Sequence, residues 1–297
     1  MTAGPRRGVV AGVDDSPSGP SVARAAATEA ARRGLDLELV HAVDEWGALA
    51  DPATEPALVR ALAVLEPGAV HDRATPALLG GHPVDVLVHR SHDADLVVVG
   101  AGRRAGAWDR LLGSTARGVL RRATCAVLVV PPDAPDALEG GDGARTVDVS
   151  RGPVVAAVGL DGDTDAVIAA AAGYARRLQT GLRVVHSLLP GPYSSAFAPA
   201  PATWDDLEAH ARTEISRALA AHAGGLAAAV TVAPQPATDL LSHTTREAAL
   251  VVVGHRTHRR LVQPPHHLAY RPLVDHLRGP LLSVPVAEVA APLEPAP

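Results

Sequence analysis

The sequence predicts an α/β protein built from two tandem Rossmann-like domains, each a doubly wound parallel sheet. Three observations carry this. Apolar runs alternate with helix-like segments through the first half, and the central runs, such as Leu96-Val97-Val98-Val99 and Ala126-Val127-Leu128-Val129-Val130, are apolar throughout. That pattern marks parallel strands buried on both faces and joined by right-handed crossovers. Residues 131–152 then lose all period and fill with Pro, Gly and Asp, which is linker chemistry. After them the pattern restarts: Asp95-Leu96-Val97-Val98-Val99-Gly100 recurs as Ala249-Leu250-Val251-Val252-Val253-Gly254. The expected organisation is a first domain over 1–131, a linker over 132–152, a second domain over 153–285 and a frayed Ala/Pro/Glu tail over 286–297.

Taken in order, residues 8–13 read as a strand stopped by the turn Asp14-Asp15-Ser16-Pro17. Ser18 or Ser21 then caps an alanine-rich helix to Arg33, with Gly34 as its breaker. Residues 35–43 form a second strand. Prolines at 56, 67 and 76 cut the period over 53–79, where one helix and one weak edge strand are expected. Pro83 opens a helix to about His92, 95–99 is a buried strand, 114–122 is helical and 126–130 closes the sheet. The second copy reads as helix 165–179, strand 182–187, amphipathic helix 204–222, strand 227–232, helix 237–247 and strand 249–253, closing at Pro285. The triplet Gly159-Leu160-Asp161 is taken as the counterpart of Gly12-Val13-Asp14.

Composition narrows the function. A hydrophobic fraction of 47% and a net charge of −5 describe a foldable, mildly acidic protein with no global basic field, so nucleic acid is not an expected partner. Every one of the 27 basic residues is Arg, which reflects genome composition more than function. Asp14 and Asp15 break the apolar run that follows Arg6 and Arg7, so no cleavable signal is expected, and no run approaches the ~18 apolar residues of a membrane span. A cytoplasmic protein is the expectation. The single cysteine, Cys125, is read as a buried thiol at a strand start.

The chemistry-bearing segment is the strand ending at Gly100, followed by Ala101-Gly102-Arg103-Arg104 and, further on, Gly113-Ser114-Thr115 at a helix start. A glycine-rich loop leading into a helix N-terminus presents backbone N–H groups and dipole charge to a phosphate. In a doubly wound sheet, ligands sit beyond the carboxyl ends of the strands where their order reverses, between the first and fourth strands, and Asp14 and Gly100 end those two.

These residues resemble the tandem universal stress proteins, a two-copy type of the UspA-like family common in actinobacteria. The resemblance rests on Val9-Val10-Ala11-Gly12-Val13-Asp14-Asp15-Ser16, Gly80-Gly81-His82-Pro83, Ala94 to Gly100, Gly113-Ser114 and Cys125 to Val130. It implies two domains like the adenine nucleotide alpha hydrolases, each with five parallel strands in order 3-2-1-4-5. It further implies ATP binding, with or without Mg2+, through a G-x2-G-x9-G-[ST] signature, and a role in stress or dormancy. Gly100 and Gly113-Ser114 keep that spacing, while Arg103 replaces the second glycine and Gly102 stands one position early. If that position needs a positive φ, arginine costs on the order of 1 kcal/mol there; Arg103 and Arg104 also offer charge to phosphates. By the same resemblance Asp14 holds the ribose hydroxyls, Gly12, Val13, Ala42 and Val99 line the adenine, and the backbone of Gly102, Gly113, Ser114 and Thr115 meets the phosphates. The closing strands of the two copies resemble the edges such proteins pair, implying an intramolecular pseudo-dimer or a homodimer.

The second copy keeps Gly254 but has Thr257 and His267-Leu268 at the other signature positions, with Pro264 and Pro265 removing donors, so it is read as not binding ATP. Other readings stand beside these. Asp14 alone is a turn aspartate, and 100–113 a surface loop. Trp108 either covers a ligand or anchors the loop, and His255, His258, His266 and His267 read as a polar loop, not a metal site. No nucleophile elbow, phosphate-loop lysine or H-x-G-H signature is present, so no enzyme activity beyond slow incidental hydrolysis is expected. The competing classes are a structural adaptor of the same fold, working through protein contacts without nucleotide, and a nucleotide hydrolase or transferase.

Overall fold

A computed structural model of the chain describes residues 8–43, 51–68, 70–102, 113–131, 152–160, 162–189, 203–244, 248–255 and 279–286. The first half contains β1 (Val9–Gly12), α1 (Gly19–Arg33), β2 (Leu37–Val43), α2 (Pro56–Ala63), β3 (Ala74–Gly80), α3 (Pro83–Arg90), β4 (Leu96–Gly100), α4 (Ser114–Arg122) and β5 (Ala126–Val130). The second half contains β6 (Val154–Ala157), α5 (Thr164–Arg177), β7 (Leu182–Ser187), α6 (Trp204–His222), β8 (Ala228–Ala233), α7 (Ala237–Thr244), β9 (Leu250–His255) and β10 (Leu281–Pro285). Residues 132–151 of the expected linker and 287–297 of the expected tail lie outside the described residues.

Local chemistry sets many of these bounds. Gly34 ends α1 at φ 65, a left-handed conformation that lets its N–H reach back to the carbonyls of the last turn. Proline opens α2 and α3 in the first turn, where its missing N–H has no intrahelical partner anyway. Thr203 and Asp206 cap α6 reciprocally. Pro76 is tolerated in β3 because that strand pairs only with β2 and is a sheet edge.

The strands form one ten-stranded sheet in the order β3-β2-β1-β4-β5-β10-β9-β6-β7-β8, so each half has the order 3-2-1-4-5. Pairing is parallel within each half, and β5 meets β10 antiparallel, with Leu128 opposite Leu282. Helices cover both faces. Val22, Leu58, Ile168 and Ile215 from α1, α2, α5 and α6 pack on one, and Leu87, Val119 and Leu240 from α3, α4 and α7 on the other. Each fully buried Leu or Val gains about 1.5–3 kcal/mol by leaving water, which places the stabilising core in the doubly covered central strands. Among the described residues no helix is long and apolar enough to cross a membrane.

The halves also meet through polar chemistry. Glu29 on α1 is fully buried and accepts a 2.7 Å hydrogen bond from the Tyr174 hydroxyl on α5. Arg33 donates to the same carboxylate at 3.1 Å and Arg32 at 3.3 Å, while the Arg177 guanidinium lies 4.0 Å above the Tyr174 ring. Burial, then the Glu29 charge, pushes the Tyr174 phenol well above its ordinary range. Counted from β1 and β6, Glu29 and Tyr174 occupy the same position of their halves, as expected of residues beside a pseudo-twofold axis. Two identical halves joined this way would set Glu29 against Glu29. The asymmetric pair avoids that like-charge contact.

Candidate functional site

β1 is the strand at which the order reverses, with β2 on one side and β4 on the other, both parallel to it. The crossovers therefore leave in opposite directions, and a crevice opens beyond the carboxyl ends of β1 and β4. Gly12, Val13 and Asp14 lie at that end of β1, Ala42 at the end of β2, and Val99, Gly100 and Gly102 at or just past the end of β4. Gly113, Ser114 and Thr115 open α4. Arg103, with Arg104 and Trp108, lies outside the described residues.

Asp14 is exposed, and its Oδ1 accepts the Ser16 N–H at 3.1 Å and the Ser16 hydroxyl. The Ser16 and Ser18 hydroxyls share a 2.7 Å hydrogen bond, and Ser18 is buried beside Gly100. A Cβ on Gly100 would lie 2.9 Å from Ser18 Oγ. A polar chain Asp14–Ser16–Ser18 thus spans from β1 to β4, and a side chain at Gly100 would displace the hydroxyl at its end. Ser18 opens α1 as foreseen, yet its hydroxyl makes no capping bond because it is turned to Ser16. His41 donates from Nδ1 to the Val13 carbonyl at 2.9 Å, and the Val13 N–H donates to Val40 at 2.9 Å, so both main-chain groups of Val13 are taken. Val13 and Val99 are buried in the cores on opposite faces of the sheet.

Gly102 and Gly113 lie against each other. Gly102 has φ +79, and a Cβ there would lie 3.0 Å from Gly113 Cα, so this position is closed to other residues by conformation and by space. Among the described residues at this loop, the positive φ falls on Gly102, one residue before Arg103 in sequence. The Gly113 N–H donates to the Ala101 carbonyl at 2.6 Å, which removes it from the phosphate donors expected of it. The first helical bond of α4 runs from Arg117 N–H to the Gly113 carbonyl, so the N–H groups of Ser114, Thr115 and Ala116 precede the helical ladder. They form a donor set at the positive end of a nine-residue helix.

A family model described as the Universal stress protein family matches residues 5–131. A universal stress protein of Mycobacterium tuberculosis is 30% identical over 276 residues, 84% of this chain and 86% of the relative. The chain belongs to the universal stress protein family. A second relative of that name from the same organism is 28% identical over 196 residues, 61% of this chain and 63% of its own length. A universal stress protein from Archaeoglobus fulgidus superposes with a TM-score of 0.66 at 14% identity, covering 95% of this chain and 99% of its own, a likeness of fold.

The second half of this universal stress protein departs from the first in a way the residue order conceals. The Val158 N–H donates to Val185 as the Val13 N–H does to Val40, and His186 Nδ1 meets the Val158 carbonyl at 2.9 Å as His41 meets Val13. The counterpart of Asp14 is therefore Gly159. This corrects the expected pairing with Asp161, which lies two positions further on and outside the described residues. The Asp14 carboxylate of the first half has no equivalent at that position. Thr257, Pro264, Pro265, His267 and Leu268 also lie outside the described residues.

Two further sequence readings meet the structure differently: His255, expected in a polar loop, is instead the buried last residue of β9, whereas Cys125 is the buried thiol expected of it. His255 is 6% exposed, donates from Nε2 to the Ala123 carbonyl at 3.2 Å, and accepts from the Ser283 hydroxyl at Nδ1, so both ring nitrogens are engaged within the fold. The other three histidines of its cluster lie outside the described residues, among which no group of metal-ligating side chains converges. Cys125 is fully buried with its thiol on the Ala126 carbonyl at 3.3 Å. Sequence reasoning missed Ser16 and His41 as shapers of the first crevice. The repeated His at the same place in both copies, His41 and His186, was the available signal.

Proposed function

We propose that this universal stress protein binds an adenine nucleotide, ATP by the family signature and with or without Mg2+, at the crevice of its first half. The observation that carries the reading is the convergence, at one point of strand-order reversal, of a solvent-facing carboxylate and two tightly packed glycines, with a helix N-terminus at the base of the same loop. Asp14 suits ribose hydroxyls, since an ionised carboxylate accepts two hydrogen bonds from a vicinal diol. Ser114 and Thr115 supply N–H and hydroxyl donors to phosphates, with Ala116 adding an N–H. Gly100 and Gly102 let Ser18 and Gly113 pack closely at the strand end, which holds the opening of α4 beside the end of β4.

The protein works in the cytoplasm as a regulator of stress or dormancy responses, without catalysis, and this output is carried over from the family. Its second half serves packing and partner contact. Calorimetric titration with ATP tests the binding. The expected result is a saturable isotherm with one site per chain, weakened at least tenfold in Asp14→Ala, with the thermal midpoint of the free variant lowered only slightly because Asp14 is exposed and its carboxylate bonds only Ser16 among the described residues. Equal affinities in the two proteins would remove Asp14 from the site.

A further inference from the structure

The residue that opens the first helix of each half differs, Ser18 before α1 and Asp163 before α5, and the difference falls at the same place in both crevices. Ser18 leans on Gly100, and Asp163 leans on Gly254, where an added Cβ would lie 2.9 Å from Asp163 Cβ and 3.3 Å from its Oδ2. Asp163 is 4% exposed. Its carboxylate accepts the Gly159 N–H at 3.0 and 2.9 Å on its two oxygens, and the Leu160 N–H at 3.1 Å. Leu160 adopts φ 62, a left-handed conformation costly for a branched side chain, and this turns two successive N–H groups toward one point. Successive N–H groups arranged in this way form an anion-binding nest.

We infer that Asp163 is a built-in occupant of an oxyanion nest at the second crevice, so that the residue opening the first helix of each half decides whether the main-chain donors just beyond its first strand are open to an anionic ligand. The first half places a neutral hydroxyl there and keeps its carboxylate outside, on Asp14. The second half places the carboxylate inside, bonded to the main-chain donors of its own loop. Any phosphate entering would meet a buried negative charge at the Gly254 wall and find those donors engaged. The selection between halves rests on the nucleotide reading above; the closure of the second crevice does not.

Amide-resolved NMR on the full chain tests this, with inorganic pyrophosphate as the probe and Asp163→Ser, which installs the first-half residue, as the variant. In the wild type the Gly159 and Leu160 amides are expected to be protected from exchange and unmoved by pyrophosphate. In Asp163→Ser their protection is expected to fall at least tenfold, and both resonances to shift saturably with pyrophosphate. Should that variant not fold, Asp163→Asn keeps the shape and removes the charge, and a several-fold loss of protection at the same amides is expected. Unchanged protection in a folded variant, or wild-type amides that follow pyrophosphate, would overturn the inference. Silence of the Asp14 and Gly100 amides toward ATP in the same wild-type sample would instead sink the nucleotide reading and leave the closed nest standing.

Discussion

Glu29→Ala is expected to destabilise the chain by about 3–5 kcal/mol, the usual cost of removing one partner from a buried ion pair. The side chain is fully buried and gathers Tyr174, Arg33 and Arg32 around one carboxylate. Without it, two guanidiniums that are only 16% and 26% exposed lose their counter-charge, and the Tyr174 hydroxyl loses its acceptor. Tyr174→Phe removes one charge-assisted hydrogen bond and leaves the ion pairs, so about 1.5–3 kcal/mol is expected. Because the cluster joins α1 to α5, the two losses should be strongly non-additive in a double-mutant cycle. Chemical denaturation measures all three variants. A loss below about 1 kcal/mol for Glu29→Ala would mean that the arginines reach water on their own, as surface pairs do.

Acidification is expected to weaken the seam between the halves through His255. Burial pushes its imidazole down to about 4 from an ordinary 6.5. The unfolded chain takes up the proton near 6.5 and the folded chain only near 4, so between those values the unfolded state binds more protons. Stability contributed by the neutral ring is present above 6.5 and is lost progressively as the pH falls toward 4. At about 1.4 kcal/mol per pKa unit the loss is roughly 3 kcal/mol. Many carboxylates titrate over the same range, so the test is a difference. His255→Gln keeps a donor for the Ala123 carbonyl and an acceptor for the Ser283 hydroxyl but cannot be protonated. Its stability relative to the wild type should rise by about 3 kcal/mol between pH 7 and pH 4. A difference that stays flat would show that the protonated ring is accommodated.

Much of the fold was legible because burial on both faces leaves little choice. A run such as Leu96-Val97-Val98-Val99 fits only a central strand, and 114–122, 126–130, 182–187 and 204–222 appear at the bounds read from periodicity and end signals. The family and the tandem α/β architecture were equally readable, since they are carried by many short motifs spread along the chain.

What escaped was set by hydrogen bonds between segments far apart in sequence. Gly159-Leu160-Asp161 looks like Gly12-Val13-Asp14, but similarity of a triplet cannot fix register. The bonds Val158–Val185 and His186–Val158 do, and they move the equivalence by two residues. The family resemblance implies the Gly113 N–H as a phosphate donor, whereas its bond to the Ala101 carbonyl claims it. Glu29 and Tyr174 are 145 residues apart, and neither carries any local sign of the other.

A crystal structure of the wild-type chain grown with ATP tests most directly whether the first crevice is a nucleotide site. The purine and ribose should lie beyond the ends of β1 and β4 with a ribose hydroxyl within hydrogen-bond distance of Asp14, and the phosphates should meet the N–H groups that open α4, while the crevice beside Asp163 stays without nucleotide. Nucleotide found only in the second half, or a first crevice that excludes ATP while other parts of the molecule are unchanged, would contradict it.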